Sequence, residues 1–306
     1  MSDDLDRARG ALLGLAVGDA LGAPLEFAER DECPLVTNMI SGGPFNLKPG
    51  EWTDDTAMAL CLADSLIAQK GLDTQDLMRR FVRWWRHGEN SVTGHCFDIG
   101  MTTARALQRF ETTGEIILDA NPQTAGNGSL MRMAPVAIFA SSDTELAIDL
   151  ARQQSAGTHG APLCLDACAL FAELLSNALQ GGDKRKILGR RPIFDDVDER
   201  LAEIALGSYR IKKRHEIRSG GFVLDTLEAA LWAIWHSESF EEALIAAVNL
   251  AGDSDTVGAV TGQLAGAIWG ASAIPERWVE QLAWREEIER RADQLIAAGC
   301  SASGKA

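Results

Sequence analysis

The sequence predicts an all-α fold, and three observations point there. Apolar residues recur at three- and four-residue spacing along most of the chain. Runs such as "LCLDACALFAELL" and "DTLEAALWAIW" are rich in alanine and leucine, the strongest helix formers. No alternating β-branched segment is long enough to found a sheet. Ten or more helices are expected.

The first spans 5–21 and carries Gly10, Gly14, Gly18 and Gly22 at every fourth position. Helical periodicity follows at 56–68, 75–86, 99–110, 144–153 and 161–179. Residues 181–218 form the most polar and basic stretch, read as a long connection with one short helix. Such a charge run is first a solvated face, and docking of an anionic partner through 210–218 is the alternative. Helices resume at 222–236, 240–250, 257–270 and 276–297. The penultimate one repeats the glycine pattern with Gly258, Gly262, Gly266 and Gly270. A glycine inside a helix costs about 1 kcal/mol against alanine. A glycine ridge lets a neighbouring backbone approach closely, so both helices are expected to be central and suited to packing on each other.

No Pro- or Ser-rich linker divides the 306 residues, and a single domain over 1–306 is expected. The formal net charge of −15 argues against nucleic-acid backbones and anionic lipid as partners. Six cysteines form no paired framework and suit a reducing cytoplasm. The acidic opening "MSDDLDRARG" lacks the basic start of an export signal. Residues 257–274 carry no charge, but their acidic flanks and Gln263 favour a buried helix over a membrane span.

Chemistry concentrates at two helix mouths. "WTDDT" places Thr53, Asp54 and Asp55 before an apolar run, and "GDSDT" places Asp253, Asp255 and Thr256 before another. Helix capping explains one or two polar residues in each cluster, not the crowding of carboxylates. Hard divalent cations want several oxygen ligands, and a bridged pair of them accounts for four acids in one place. Cys164 and Cys168 near His159 read as helix-face thiols before they read as a zinc site. Gly126-Asn127-Gly128-Ser129 is a loop whose backbone N–H groups can converge on an anion.

The segments "GDALGAPLE", "GEWTDDTAMALCLADSL", "FDIGMTTARAL", "GNGSLMRMAP", "THGAP", "VLDTLEAALWA" and "AGDSDTVGAVTGQLAGA" closely resemble the ADP-ribosylglycohydrolases, in family order over almost the whole chain. The resemblance implies a compact, orthogonal multi-helix domain around a dinuclear metal cleft, with two Mg2+ or Mn2+ ions. It implies removal of ADP-ribose from modified protein side chains, arginine favoured and serine the variant. By position Thr53, Asp54, Asp55, Asp253, Asp255 and Thr256 would be ligands, with Asp54 and Asp55 also counted among the catalytic acids. Asp98, near the reacting ribose, and Glu26, on a segment that can reach the metals, would be catalytic, and either could take the proton of the attacking water. Gly126, Asn127, Gly128, Ser129, His159, Phe222 and Gly100 would contact ADP-ribose. Two departures stand out: Phe222 where many relatives have tyrosine, and Met101 where they often have asparagine. A binding or immunity protein without turnover, and a hydrolase of small ADP-ribosyl compounds, are the competing readings.

Overall fold

The computed structural model describes residues 2–189 and 197–303, so the 190–196 part of the basic connection lies outside the described residues. Among the described residues there are fourteen α-helices and no strand. They are α1 (Asp3–Gly22), α2 (Asp54–Gln69), α3 (Thr74–His87), α4 (Met101–Thr113), α5 (Ala134–Phe139), α6 (Thr144–Ala156) and α7 (Pro162–Leu179). The second half adds α8 (Lys184–Ile187), α9 (Glu199–Ala205), α10 (Val223–Trp235), α11 (Phe240–Val248), α12 (Ser254–Trp269), α13 (Glu276–Gln281) and α14 (Arg285–Ser303).

The glycine ridges face each other. A methyl carbon at Gly14 would fall 2.1 Å from the Gly262 carbonyl oxygen, and one at Gly18 would fall 2.0 Å from that of Gly258. Gly10 meets Gly266 and Gly22 meets Ser254 in the same way. The partner number falls as the first rises, so α1 and α12 run antiparallel, backbone against backbone. No side chain fits between them. Both helices are buried along this seam, and one continuous apolar cluster extends from it to α14.

Gln263, near the centre of the apolar 257–274 window, is wholly buried. Its amide donates to Met131 O at 2.6 Å and its carbonyl accepts from Ala134 N at 2.6 Å. It thus starts α5, a six-residue helix that is apolar throughout and carries no period to read. The apolar window 257–274 is not one helix, since α12 stops at Trp269 and Gly270 turns with φ +83°. By length and composition α7 could cross a membrane, yet two-thirds of it is buried inside the protein, and Asp166 on it pairs with Arg152 at 2.8 Å.

The expectation of one helix over 276–297 needs correction. The chain breaks between α13 and α14, where Trp284 takes φ +58°. The Ala283 N–H donates to Gly50 O at 3.0 Å, and the Trp284 ring meets Trp52 edge-on at 5.2 Å. The break lets the segment leading into α2 pack against the C-terminal helices. Among its described residues the basic connection holds α8, α9 and two 3-10 turns in place of one short helix. Within it Lys212 pairs with Glu228 and Arg214 with Asp31.

Candidate functional site

The antiparallel seam brings the start of α12 beside the end of α1, and the start of α2 joins them. Thr53 and the Asp253–Thr256 stretch, about two hundred residues apart in sequence, are therefore neighbours. The Thr53 hydroxyl lies 3.3 Å from Asp55 Oδ2 and 3.2 Å from Asp255 Oδ2. The Thr256 hydroxyl donates to Asp55 Oδ2 at 3.3 Å. One oxygen each from Glu26, Asp98 and Asp255 lies within 4.8 Å of the others. The two acid clusters are one.

Asp19 holds the arrangement from below, and motif reading did not single it out. It sits on α1 with no exposure, accepting from the Thr53 N–H (2.8 Å), Thr53 hydroxyl (3.0 Å), Thr56 N–H (3.0 Å) and Thr56 hydroxyl (2.6 Å). Thr53 occupies the N-cap position of α2 but makes no side-chain cap bond. Asp19 caps α2 in its place, from another helix, which leaves the Thr53 oxygen turned to the acids. The available signal was an aspartate within the apolar run of α1.

Glu26 is held by the chain around it. Phe27 N–H donates to Gly252 O at 2.7 Å and Gly252 N–H to Ala28 O at 3.0 Å. Phe27 and Ala251 both take left-handed backbone, φ +60° and +59°. Such conformations cost about 1–3 kcal/mol each and persist only where the surroundings enforce them. Asp98 is likewise left-handed, φ +60°, which is why α4 begins at Met101 and not at 99 as periodicity suggested.

The electrostatics are severe. Two ionised carboxylates 4.8 Å apart repel by about 3 kcal/mol at an effective dielectric of about 20. Burial, then the neighbouring acids, pushes Asp54, Asp55 and Asp255 well above the carboxylate range. Burial and Asp98 push Glu26 up to about 9. Burial and Asp253 raise Asp98 to about 7. Asp19, with four donors to offset its burial, reaches only about 6. Asp55 Oδ1 and Glu26 Oε2 are buried without a hydrogen-bond partner. Orphaned carboxylate oxygens among crowded acids and hydroxyls fit hard divalent cations.

Above this floor opens a cleft of about 750 Å³ lined by Glu26, Asp54, Asp98, Asp253 and Thr256 on one side. Gly126, Asn127, Gly128 and His159 line it too, together with Gly100 and Met101. Asn127 donates to Asp253 Oδ2 at 2.7 Å and to Thr226 at 2.8 Å, tying the glycine-rich loop to the acids. Ser129 lies behind the loop, wholly buried, taking a hydrogen bond from Ser155 at 2.7 Å. Phe222 is not on the cleft lining; it is half-buried, bridged through its backbone to Gly126, with the Arg200 guanidinium 5.6 Å from its ring centre.

The sequence profile of the ADP-ribosylglycohydrolases matches residues 1–304. An ADP-ribosylarginine hydrolase of Pseudomonas putida is 49% identical over 294 residues, 95% of this chain and 78% of that protein. The ADP-ribosyl-[dinitrogen reductase] glycohydrolase of Rhodospirillum rubrum is 33% identical over 95% of this chain and 96% of its own length. A solved structure titled ADP-ribosylglycohydrolase-related protein complex superposes with a TM-score of 0.86 at 42% identity, covering 98% of this chain and 100% of that one. With an all-helical architecture and an acid-floored cleft beneath it, the profile match over nearly every residue makes this chain a member of the ADP-ribosylglycohydrolase family.

Proposed function

We propose that the protein is a metal-dependent hydrolase that releases ADP-ribose from modified protein side chains, with arginine as acceptor. The observation that carries this reading is the meeting of two acid-bearing helix starts at the floor of one large cleft. Relatives at 49% and 45% identity bear the name ADP-ribosylarginine hydrolase, which supports the acceptor.

Thr53, Asp54, Asp55, Asp253, Asp255 and Thr256 are the residues that would hold two divalent cations, Mg2+ or Mn2+. When bound, such cations neutralise the carboxylates and supply Lewis-acid polarisation of ligand oxygens. Asp98, whose carboxylate lies within 4.8 Å of that of Glu26 and lines the cleft, accepts the proton of the attacking water. The water oxygen bonds to ribose C1 as the C1–nitrogen bond breaks, and the guanidine leaves with the returned proton. The backbone of Gly126 to Gly128 and the ring of His159 orient the diphosphate. Cytoplasmic action on an ADP-ribosylated protein is part of the proposal. In the 210–218 segment Lys213 and Arg218 are cations that face solvent and are open to docking.

Incubation with arginine-ADP-ribosylated protein and magnesium or manganese is expected to release free ADP-ribose, and a chelator to stop it. Serine-linked and small ADP-ribosyl substrates run beside it define the acceptor. Binding of ADP-ribose with no turnover on any substrate would instead identify a binding module.

The pH dependence of stability is a second expectation. Glu26 and Asp98 have folded-state affinities above their ordinary values of 4.5 and 3.8. The folded state therefore keeps protons that the unfolded state releases, and stability falls as pH rises. In a chelator the melting temperature should drop from about pH 5 to about pH 9. A melting temperature that rises over that range would contradict the crowding.

A further inference from the structure

Arg132 follows the glycine-rich loop in "GNGSLMRMAP" and is wholly buried, with no ion-pair partner among the described residues. A buried charge without a counter-ion is costly, so its hydrogen bonds are informative. Nε donates to the Gln154 side-chain oxygen at 2.8 Å, and Nη2 to Gln154 O at 3.1 Å. Gln154 in turn donates to Ser129 O at 2.9 Å, bracing the loop from behind. Nη1 reaches the Met58 sulfur at 3.8 Å and the guanidinium lies over the Phe81 ring, while a further hydrogen bond leads toward the cleft. Nη2 donates to the Thr158 hydroxyl at 2.8 Å, and that oxygen lies 2.9 Å from His159 Nδ1.

A hydroxyl that accepts from a guanidinium becomes a better donor, because hydrogen bonds in a chain polarise one another. With the Thr158 proton donated to Nδ1, that nitrogen carries the lone pair of a neutral ring. The ring proton is left on Nε2. Burial and the Arg132 charge hold His159 down at about 3, so the ring is neutral at physiological pH. His159 N–H is itself fixed to Ser155 O at 2.7 Å. Nε2 has no hydrogen-bond partner among the described residues; His159 lines the cleft, and Nε2 lies 3.0 Å from where a methyl on Gly128 would sit.

We infer that Arg132 acts through Thr158 to lock His159 in the tautomer that presents Nε2–H to an anionic oxygen of the ligand. Arg132 is a positioning residue, and the sign of the His159 contact depends on it. The opposite tautomer would turn a lone pair toward the anion. The inference deepens the diphosphate reading of the glycine-rich loop and rests on it for the identity of the ligand.

The test uses the full chain labelled with 15N-histidine, which has five histidines to resolve. Thr158→Val removes the hydroxyl at nearly constant shape, and Thr158→Ser keeps it. Ring 15N spectra should show the Nε2–H tautomer for wild type and Thr158→Ser, and mixed or Nδ1–H tautomers for Thr158→Val. With magnesium present, calorimetry should show ADP-ribose affinity about tenfold lower for Thr158→Val, the scale of one charged hydrogen bond, and restored in Thr158→Ser. Arg132→Met should shift the tautomer in the same direction; if it does not fold, Thr158→Val alone decides. An unchanged Nε2–H signal with wild-type affinity in Thr158→Val overturns the relay. A wild type that shows the fixed tautomer but binds no ADP-ribose supports the relay and overturns the diphosphate reading.

Discussion

Gly14→Leu is expected to yield no folded protein. A side-chain carbon at that position would fall 2.1 Å from a backbone oxygen of α12, where no rotamer change can relieve it. The reverse contact is as tight, with a Gly262 methyl 1.8 Å from Gly14 O. Only separation of the two helices makes room, and that exposes the seam along which the core is built. The cost should exceed about 4 kcal/mol, against a typical domain stability of about 5–15 kcal/mol. Circular dichroism and soluble yield measure it directly. A soluble Gly14→Leu protein with the wild-type melting temperature would show that α1 and α12 do not pack this way.

Asp55→Ala should lower ADP-ribose release about a thousandfold or more, on the scale of removing a preorganised electrostatic group. Asp55 is fully buried and takes both threonine hydroxyls on Oδ2, so it is the acid on which the two clusters converge. Its loss has a second signature. Wild-type protein should gain about 2.7 kcal/mol at a divalent-cation concentration a hundredfold over Kd. The variant should gain far less. In a chelator the variant should be no less stable than wild type, because an acid whose ionisation burial and its neighbours oppose has been removed from a crowded floor. Melting curves with and without magnesium, beside the release assay, separate these effects. Wild-type turnover in a chelator would remove the cations from the scheme.

Periodicity located the long helices and missed the short α5. Residues 134–139 are buried on every side, so no stripe marks them. The break after α13 depends on Gly50 and Trp52, more than two hundred residues upstream, and local pattern cannot contain it. The glycine ridges were legible because a penalty repeated in register needs a partner, and the partner proved to be the other ridge. At the site, the acids were conspicuous because like charges side by side demand a reason. Asp19 and Arg132 were quiet because each works alone, and what each does is visible only once a second helix arrives beside it.

That pairing also sets an order of events during synthesis. The partner of α1 begins at Ser254, so the first helix leaves the ribosome long before its mate exists. At roughly 5–20 residues per second the wait is on the order of ten to fifty seconds. Throughout that interval a bare glycine stripe and an unmatched set of carboxylates stand open to the solvent. Nascent chains of this protein should therefore be clients of chaperones until nearly the last turn of translation, and a fragment cut short of α12 inherits the vulnerability without ever acquiring the catalyst.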